Sequence, residues 1–392
     1  MFNKIYGPMW CSWLGPYPFV VISDPVIVQE VLLSPNCINK CVIYDGLDYT
    51  VGTTLFNLKE PKWSVHRKIF NPAFNHKILM SFIPLFNEEV HHLMLTVDKY
   101  VGNGPADLMR TMQTYTLYVA TRTTMRSMLM NRDQFERTLV QSYQCCFKLV
   151  DEQLLSADND ERSPDSKYFI DIAIENFKSD RFTRANVEHE CGAIVFGAFE
   201  TTANTIVYTL MLLAMFPNYQ EKVYEELISI FPETGNFNVT YNNTQNLIYM
   251  DMVLNETMRV LAPVPLIARE TTNNLKLSNG VTLPSGVQIA IDIFHMHRRK
   301  DIWGPEADSF NPDNFLSANI HSKHSYAFIP FTKGLRYCIG MKYALLSIKI
   351  TLAKLLRNYK FATDFKFEKL EFIEDITLKL REVPLLAIER RN

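Results

Sequence analysis

This sequence of 392 residues lacks the features that several kinds of binding site require. Its 40 Lys and Arg against 42 Asp and Glu leave a net charge of -2, without the basic excess that binding to phosphate backbones requires. The seven cysteines form no CxxC pair and the nine histidines form no HExxH sequence, so closely spaced zinc ligands are lacking. We therefore exclude nucleic acid as a partner, and we expect reduced cysteines that face the cytosol.

Long apolar segments are lacking too. The N-terminal segment has no charged region followed by an unbroken apolar run, so it predicts neither a signal peptide nor a membrane anchor. The longest apolar stretch, Thr205 to Phe216, is too short to cross a bilayer and continues a patterned helix, which indicates a buried core helix. Three Asn-x-Thr sequences, at Asn238, Asn242 and Asn255, are interpreted as chance in a chain that faces the cytosol.

The residues that are present have the composition of an ordinary folded protein, with 47% hydrophobic residues, 26 Phe and 18 Tyr. We predict one domain, 1–392, of mainly α class with small β sheets. Residues 1–60 are β-rich, with a strand at Phe19–Ile22 and a helix at Val26–Leu33, and residues 61–392 are mostly helical. The Asn279-Gly280 turn predicts a hairpin over 268–293, and the polar run 157–166 predicts an exposed loop. The other helices are expected at Lys62–Phe70, Leu79–Tyr100, Leu108–Met130, Asp133–Leu155, Arg184–Phe216, Asn218–Ile230, Asn246–Ala262 and after Gly340.

The segment FTKGLRYCIG, just before the last strong helix, carries the most chemical information. Cys338 at a helix N-terminus meets free backbone N–H groups and the positive end of the helix dipole, which favour a thiolate. Gly334 and Gly340 allow close backbone approach, Arg336 supplies a cation, and Phe331 offers a flat apolar shield. A lone Cys at such a position is more often a buried structural residue, so its neighbours decide the interpretation.

The Phe, Gly, Arg, Cys and Gly of this segment resemble the haem-binding signature of the cytochrome P-450 family. The resemblance implies the fold of that family, with haem between the oxygen-motif helix and the helix that follows the cysteine loop. It implies Cys338 as the axial iron ligand and Phe331, Gly334, Arg336 and Gly340 as neighbours of the haem.

A second motif is Glu256 and Arg259 in NETMR, which share one face of a predicted helix. Such pairs usually lie on solvated surfaces and contribute little. The pair resembles the buried ExxR pair of the family, which implies that it holds the segment carrying the cysteine loop. The family's PxRF sequence is PDNF here, so Asn314 replaces an Arg and we expect an uncharged contact at that corner.

A third motif, FGAFETTANT, falls in the middle of a predicted helix and resembles the oxygen-activation motif of the family. A mid-helix Thr such as Thr201 can bond back to a carbonyl one turn earlier, and Gly197 and Ala198 leave room beside it. A packed helix with a Thr pair is the simpler account of the same residues. The resemblance implies that Glu200 and Thr201 are catalytic and deliver protons to the distal oxygen.

Trp63 and Arg67 lie one helical turn apart and resemble the family's WxxxR sequence, whose side chains bind a haem propionate. Arg269 and Arg336 stand where further propionate-binding arginines are expected. Arginine pairs with carboxylates bidentately even when it is partly buried. The resemblance therefore implies non-covalent haem b held by Trp63, Arg67, Arg269 and Arg336, because Gly197 stands where related ω-hydroxylases carry a Glu esterified to the haem.

The motifs run in the family's order over nearly the whole chain, and HRKIFNPAF and PDNFL resemble the animal microsomal branch of fatty-acid ω-hydroxylases and insect members. This implies an enzyme on the cytosolic face of the endoplasmic reticulum, with peripheral membrane contact and without the usual N-terminal anchor. Helices that roof the substrate pocket are expected to be shortened between Tyr143 and Ser166.

The implied reaction inserts one oxygen atom of O2 into a small apolar substrate, with electrons from NADPH through cytochrome P-450 reductase. Lys333, Arg336, Lys342 and Lys349 are expected to form the basic docking patch. Two alternatives remain open: a haem-thiolate peroxygenase or isomerase that needs no reductase, and a non-catalytic haem-binding remnant.

Overall fold

Helices make up most of the computed structural model, which describes residues 5–49, 51–126, 148–154 and 167–391. Several 3-10 turns connect them, and residues 148–154 are helical as well. The helices labelled here are α1 Pro25–Leu33, α2 Lys62–Phe70, α3 His76–Val97, α4 Met109–Thr124, α5 Phe169–Lys178, α6 Arg184–Met215, α7 Pro217–Ile230, α8 Tyr241–Gln245, α9 Ile248–Val260, α10 Ile293–Met296, α11 Lys300–Trp303, α12 Ser317–Ile320 and α13 Met341–Asn358.

The strands are β1 Met9–Leu14, β2 Tyr17–Ile22, β3 Leu266–Glu270, β4 Leu275–Lys276, β5 Thr282–Leu283, β6 Gln288–Asp292, β7 Tyr359–Ala362, β8 Phe372–Glu374, β9 Leu378–Leu380 and β10 Ala387–Arg390. The largest sheet joins two N-terminal strands to two strands between residues 266 and 292. Its order is β1-β2-β6-β3, with β1 and β2 antiparallel, β2 and β6 parallel, and β6 and β3 antiparallel. A parallel pair needs a long connection, and here most of the helices lie between β2 and β6.

Helix α6 runs through the centre of the molecule. Thr183 caps its N-terminus by accepting a bond from the Asn186 amide at 3.2 Å, and the helix ends directly before Phe216 and Pro217. Every residue from 202 to 214 is buried, and α4 makes the most extensive helix contact with it. The expectation of a buried core helix at 205–216 is confirmed, apart from the half-buried last turn.

Most predicted elements occur within a few residues of their expected bounds. The hairpin around Gly280 is confirmed, with β3 paired to β6 and β4 paired to β5. The helix predicted to start at Leu108 ends at Thr124, where Arg126 adopts φ 54°. The loop predicted at 157–166 lies outside the described residues. The same holds for the helix predicted at Asp133–Leu155, except for residues 148–154.

Among the described residues, no single helix has the length and apolar character of a membrane span. The pair α6 and α7 passes that test only when taken together, with a bend of 113° between them.

Candidate active site

The cysteine loop is fixed by its own backbone hydrogen bonds. The amide of Cys338 donates to the Phe331 carbonyl at 3.0 Å, and the amide of Tyr337 donates to the Gly334 carbonyl at 3.2 Å. Gly340 is the N-cap of α13, so Cys338 lies two residues before the helix, as the sequence indicates. The Cys338 residue is exposed, so its sulfur can be reached by a ligand.

Opposing effects act on the Cys338 thiol in the ligand-free loop, and its thiolate form stays a prediction. The surrounding protein displaces water and raises the pKa of the Cys338 thiol, while the Gly340 amide and the charges of Arg67 and Lys40 lower it by less. Desolvation is the largest of these effects, ahead of the Gly340 amide and the two charges. A bound cation would reverse this balance, since coordination deprotonates a thiol.

The two glycines of the loop differ in their function. Gly334 has φ 76°, and a Cβ there would lie 2.2 Å from the Leu32 carbonyl oxygen at the end of α1, so only glycine fits. Gly340 has φ -87°, and a Cβ there would lie 4.0 Å from the Cys338 sulfur, which is ordinary contact. The expected close approach is confirmed for Gly334, and for Gly340 it stays a prediction.

Trp63, Arg67 and Arg336 form one contact group beside the loop. Trp63 and Arg67 share the buried face of α2, and the Arg336 guanidinium lies 4.4 Å from the Trp63 ring centroid. Arg67 Nη1 donates to the Tyr337 carbonyl oxygen at 3.2 Å, one residue from Cys338. Arg336 also donates to the Leu58 carbonyl. The three predicted residues are therefore brought together.

Arg269 belongs to the same charge cluster. It is buried on β3, where Nη1 bonds the adjacent Ala268 carbonyl oxygen at 2.9 Å. The pKa of Arg336 is lowered to about 9, mainly by burial; the charges of Arg269 and Arg67 add to this effect, and that of Glu60 opposes it. The charges of Arg269 and Arg67 both act on Arg336, so the three expected propionate cations lie near one another.

Lys40 is a fourth cation that the sequence motifs did not identify. Burial lowers its pKa well below the ordinary value, and the charges of Arg269 and Arg336 add to that effect, whereas Cys338 opposes it. A single Lys inside the apolar run CINKCVIY was the available signal. We name Lys40, Arg67, Arg269 and Arg336 the cation cluster.

The cation cluster fits a group that bears carboxylates. None of its four members takes part in an ion pair among the described residues. Two nitrogens of Arg336, Nε and Nη1, are buried there without a hydrogen-bond partner. Because buried charges are normally paired, this donor set suits the two propionates of a haem next to an accessible thiol.

Glu256 and Arg259 of α9 form a fully buried pair. Arg259 Nε lies 2.6 Å from Glu256 Oε2, and Arg259 Nη2 lies 2.7 Å from Glu256 Oε1. Burial raises the pKa of Glu256 although Arg259 opposes that shift. Asn314 Nδ2 donates to Glu256 Oε1 at 3.1 Å, so the uncharged contact expected at that corner is present.

The buried pair reaches the cysteine loop through His297. Arg259 Nη1 donates to the His297 carbonyl oxygen at 2.8 Å, and the Ile329 amide donates to His297 Nε2 at 3.0 Å. The Ile329 carbonyl then accepts from Thr332, inside the loop segment, at 2.9 Å. Burial lowers the pKa of His297 to about 3, which keeps Nε2 an acceptor.

The oxygen motif lies in the middle of α6. Thr201 Oγ1 donates to the Gly197 carbonyl oxygen at 2.8 Å, the back-bond expected from the sequence. A Cβ at Gly197 would meet nothing within 4 Å, so open space lies beside the motif. The helix stays continuous through this turn.

The C-terminal hairpin of β8 and β9 contacts the same motif, which the sequence did not indicate. Thr377 Oγ1 donates to Glu200 Oε1 at 3.2 Å, and Lys379 Nζ lies 3.8 Å from that oxygen. Tyr208 on α6 fixes the hairpin by donating to the Leu378 carbonyl oxygen at 2.7 Å. Sequence alone shows no signal for this contact, because it joins segments far apart in the chain.

The prediction of a basic docking patch is wrong for two of its four residues. Arg336 points inward, as described above, and Lys349 is buried, with Nζ 2.7 Å from the Asp251 carboxylate. Both charges are therefore used inside the protein. Lys342 is exposed, and Lys333 is half-buried with Nζ bonded to the Ser325 carbonyl.

Comparison with known proteins agrees with these motifs. The family model described as Cytochrome P-450 matches residues 1–159 and 152–384. The two matched segments meet at 152–159, inside the interval where shortened helices are expected. The alignment with one relative has 431 positions, more than the 392 residues of this chain can fill, so that relative has residues that this chain lacks.

Curated relatives are similar along almost the full sequence. "Probable cytochrome P-450 313a4" of Drosophila melanogaster is 48% identical and covers 99% of this chain and 87% of its own length. "Probable cytochrome P-450 313a2" of the same organism is 39% identical, with 99% and 87% covered. "Cytochrome P-450 4c21" of Blattella germanica is 28% identical, again with 99% and 87% covered. On the motifs, the family match and these relatives, the chain belongs to the cytochrome P-450 family of haem-dependent monooxygenases.

Proposed function

We propose that this chain inserts one oxygen atom of O2 into a C–H bond of an apolar substrate, using non-covalent haem b whose iron the Cys338 sulfur would hold. The observation that carries the proposal is an accessible thiol beside four cations that have no ion-pair partner among the described residues. When bound, haem supplies the iron chemistry that activates O2.

The protein's first task is to hold the cofactor. Arg67 donates beside the loop, Arg269 is buried on β3, and Arg336 keeps two unpartnered nitrogens for a carboxylate. The face of the Trp63 ring packs against the Arg336 guanidinium in a cation–π contact. Glycine at position 197 supports a non-covalent haem, because it offers no carboxylate for an ester.

The second task is to move protons. Thr201 Oγ1 carries a proton that is held by the Gly197 carbonyl and can turn toward the open side of α6. Glu200 Oε1 is held by Thr377, while Oε2 is left to exchange a proton with the Thr201 hydroxyl or with water. The two side chains therefore form an acid and hydroxyl relay.

The substrate class that we propose is apolar: a lipid, a hormone or a foreign compound. Ile373 and Ile376 are 45% and 43% exposed on the hairpin segment that also carries Thr377 and Lys379. Apolar side chains thus lie close in sequence to residues that contact Glu200. Lauric acid and 7-ethoxycoumarin are suitable first probes of such a site.

The experiment that tests the cofactor is the absorption spectrum of the ferrous carbon monoxide complex. We expect a thiolate-type Soret band for the expressed chain and its loss in Cys338→Ser. Cys191→Ser is the control, because Cys191 is buried in α6 and should leave the band unchanged. A histidine-type band, or no haem binding, would contradict the proposal.

Electrons are proposed to come from NADPH through cytochrome P-450 reductase. Exposed Lys342 and half-buried Lys333 support docking of an acidic partner near the cysteine loop. We expect Lys342→Glu to raise the reductase concentration needed for half-maximal NADPH oxidation, and the effect should shrink at high salt. Product formation with peroxide, and none with NADPH and reductase, would favour a peroxygenase. Haem binding with no product under either condition would favour a non-catalytic remnant.

We also propose that the protein works at the cytosolic face of the endoplasmic reticulum membrane. Trp13 and Leu14, at the β1–β2 turn, are 68% and 56% exposed, and Tyr17 is 43% exposed. Aromatic and apolar residues at one tip suit a membrane interface. We expect the chain to sediment with phosphatidylcholine–phosphatidylserine vesicles and the double variant W13S/L14S to remain in solution. Equal sedimentation of both would contradict the membrane contact at this tip.

A further inference from the structure

Helix α4 carries a threonine whose hydroxyl group reaches a neighbouring helix. The sequence of α4, MRTMQTYTLYVATRTT, is rich in threonine, and a threonine inside a helix can bond back to a carbonyl of its own helix. Thr121 does so, because its Oγ1 donates to the Leu117 and Tyr118 carbonyl oxygens, each at 3.0 Å and both inside α4. Thr121 is therefore the ordinary case with which Thr116 can be compared.

Thr116 has acceptors on two helices. Its Oγ1 lies 2.9 Å from the Met112 carbonyl oxygen of α4 and 2.9 Å from the Phe199 carbonyl oxygen of α6, while the Gln113 carbonyl oxygen is further away at 3.2 Å. A hydroxyl group has one proton, so the two nearer oxygens share it in a three-centre bond. Thr116 is 2% exposed, and the low dielectric of such a site strengthens the bond.

The acceptor on α6 lies inside the oxygen motif. Phe199 directly precedes Glu200, and its carbonyl group belongs to the same planar peptide unit as the Glu200 nitrogen. Within α6, the bond from Thr201 Oγ1 to the Gly197 carbonyl oxygen, at 2.8 Å, acts on the same turn. One hydroxyl group of α6 and one of α4 therefore hold carbonyl groups of this turn, and the bond from α4 constrains the backbone of Glu200.

Helix α4 is itself anchored to the helix that follows the cysteine loop. The Tyr115 hydroxyl oxygen lies 2.8 Å from Thr351 Oγ1 of α13. Because Thr351 donates its own proton to the Ser347 carbonyl oxygen at 2.8 Å, Tyr115 is the donor of this bond. Tyr115 and Thr116 are neighbours on α4, so consecutive residues bond α13 and the oxygen motif.

We propose that Thr116 is a positioning residue of the oxygen motif, which holds the peptide between Phe199 and Glu200 and thereby sets the positions of Glu200 and Thr201 for proton transfer. This inference rests on the proposed function, because the relay belongs to that function. Thr116 acts through the backbone of α6 and is not itself a member of the relay. A misplacement of about 1 Å can cost about a hundredfold in rate, so a distant bond of this kind affects proton delivery.

A purely structural role makes a different prediction. If the Thr116 hydroxyl only bonds back within α4, then its loss should resemble the loss of the Thr121 hydroxyl, with lower thermal stability and an unchanged oxygen motif. If it holds the peptide, its loss should loosen the turn of α6 around Glu200 in particular. Serine keeps the hydroxyl group and should restore that turn.

The first measurement is amide hydrogen exchange in the haem-loaded proteins. Thr116→Val and Thr116→Ser are compared with the wild type, and Thr121→Val is the matched control, because valine keeps the shape of threonine without its hydroxyl. Mass spectrometry of peptides that cover residues 197–205 follows the motif. We expect exchange about threefold to tenfold faster in Thr116→Val, since loss of one buried hydrogen bond shifts a local opening equilibrium by about that factor. Thr116→Ser and Thr121→Val should exchange like the wild type.

The second measurement is the ratio of hydrogen peroxide released to NADPH consumed in reductase-supported assays. We expect a rise of about twofold to tenfold in Thr116→Val, because proton delivery becomes less well positioned. Thr116→Ser and Thr121→Val should retain the ratio of the wild type. Comparable thermal midpoints of the two valine variants would show that the difference does not come from general destabilisation.

The outcomes separate this inference from the proposed function. Equal exchange and equal peroxide ratios in Thr116→Val and Thr121→Val would overturn the role of Thr116 and leave the proposed function intact. Faster exchange with an unchanged peroxide ratio, or faster exchange along the whole of α6, would also overturn it. A wild-type chain that binds haem and forms no product would overturn the proposed function, and the positioning role with it.

Discussion

At the scale of single residues, burial decides what each charged group does. Glu256 and Arg259 resemble an ordinary surface pair in the sequence, yet both side chains are 0% exposed. A buried pair contributes little net stability when intact, but loss of one partner leaves an uncompensated charge. The consequence of substitution therefore depends on the burial of the site more than on the pair itself.

We expect Glu256→Gln to lower the free energy of unfolding by about 3–5 kcal/mol, because Arg259 would keep its charge in the core. Asn314→Ala should cost about 1–3 kcal/mol through loss of one bond to the Glu256 carboxylate. Glu175→Gln is the control, since Glu175 is 59% exposed in its pair with Lys167, and should cost less than about 1 kcal/mol. Urea unfolding of the haem-loaded proteins measures all three, and equal losses would contradict the argument.

His297 gives a prediction for pH. Its folded pKa of about 3 lies below its ordinary value of 6.5, so the unfolded chain binds the proton first. The contribution of His297 to stability is complete above about pH 6.5 and is lost as pH falls toward 3, by up to about 5 kcal/mol.

His297→Gln should flatten this part of the pH dependence, because glutamine does not titrate. Thermal unfolding between pH 7 and 4 measures the effect, and His321→Gln on the exposed surface is the control. A variant whose midpoint falls with acid as steeply as that of the wild type would show that other groups govern the acid sensitivity.

At the scale of elements, the hairpin of β8 and β9 connects the C-terminal region to the centre of α6. Tyr208 bonds the Leu378 carbonyl oxygen, the Leu378 amide bonds the Pro263 carbonyl oxygen at 2.9 Å, and Thr377 bonds Glu200. The hairpin is thereby attached by backbone groups as well as side chains. A change in the hairpin should reach the oxygen motif through Glu200.

We expect Thr377→Val to release Glu200 from one of its contacts while the side-chain volume stays nearly the same. In reductase-supported assays with NADPH, the ratio of hydrogen peroxide released to NADPH consumed should rise by about twofold to tenfold, because proton delivery becomes less well positioned. Thr363→Val is the control, since Thr363 bonds the Leu385 carbonyl beside the β7–β10 strand pair.

A double variant separates the relay from general loosening of the hairpin. In a Glu200→Gln background, Thr377→Val should add little to the peroxide ratio if the two residues act as a unit. Additive effects would show that Thr377 acts independently of Glu200.

At the scale of the whole molecule, the cation cluster brings together distant parts of the chain. Lys40 follows α1, Arg67 lies on α2, Arg269 lies on β3 and Arg336 lies in the cysteine loop. Each charge is buried or half-buried without an ion-pair partner among the described residues. The cation cluster therefore lowers the free energy of unfolding of the haem-free chain, and a bound anion would raise it again.

Arg269→Met should consequently have opposite effects on the two forms. We expect the haem-free protein to unfold at a higher temperature than wild type, by a few degrees, because an apolar side chain replaces an unpaired buried charge. The haem-loaded variant should lose haem faster. Differential scanning calorimetry of both forms, with Arg381→Met as an exposed control, measures the pair of effects, and a loss of stability in both forms would contradict the charge argument.

The sequence by itself determined the helices, the hairpin at Gly280 and the motifs, because periodic side chains, turn residues and caps act over a few neighbouring residues. The close backbone approach at Gly334 was also predictable from the sequence, although its partner, the Leu32 carbonyl oxygen, was not. The family resemblance rests on the same local spacings.

Only the tertiary structure decided which charges are buried and which contacts join distant segments. In the folded chain, Arg336 and Lys349 point inward and Lys40 lies in the cation cluster. Thr377 bonds Glu200, and burial raises the pKa of Cys338. Desolvation and long-range contacts depend on the packing of segments that are far apart in the sequence. A local pattern of side chains does not predict which of these segments pack together.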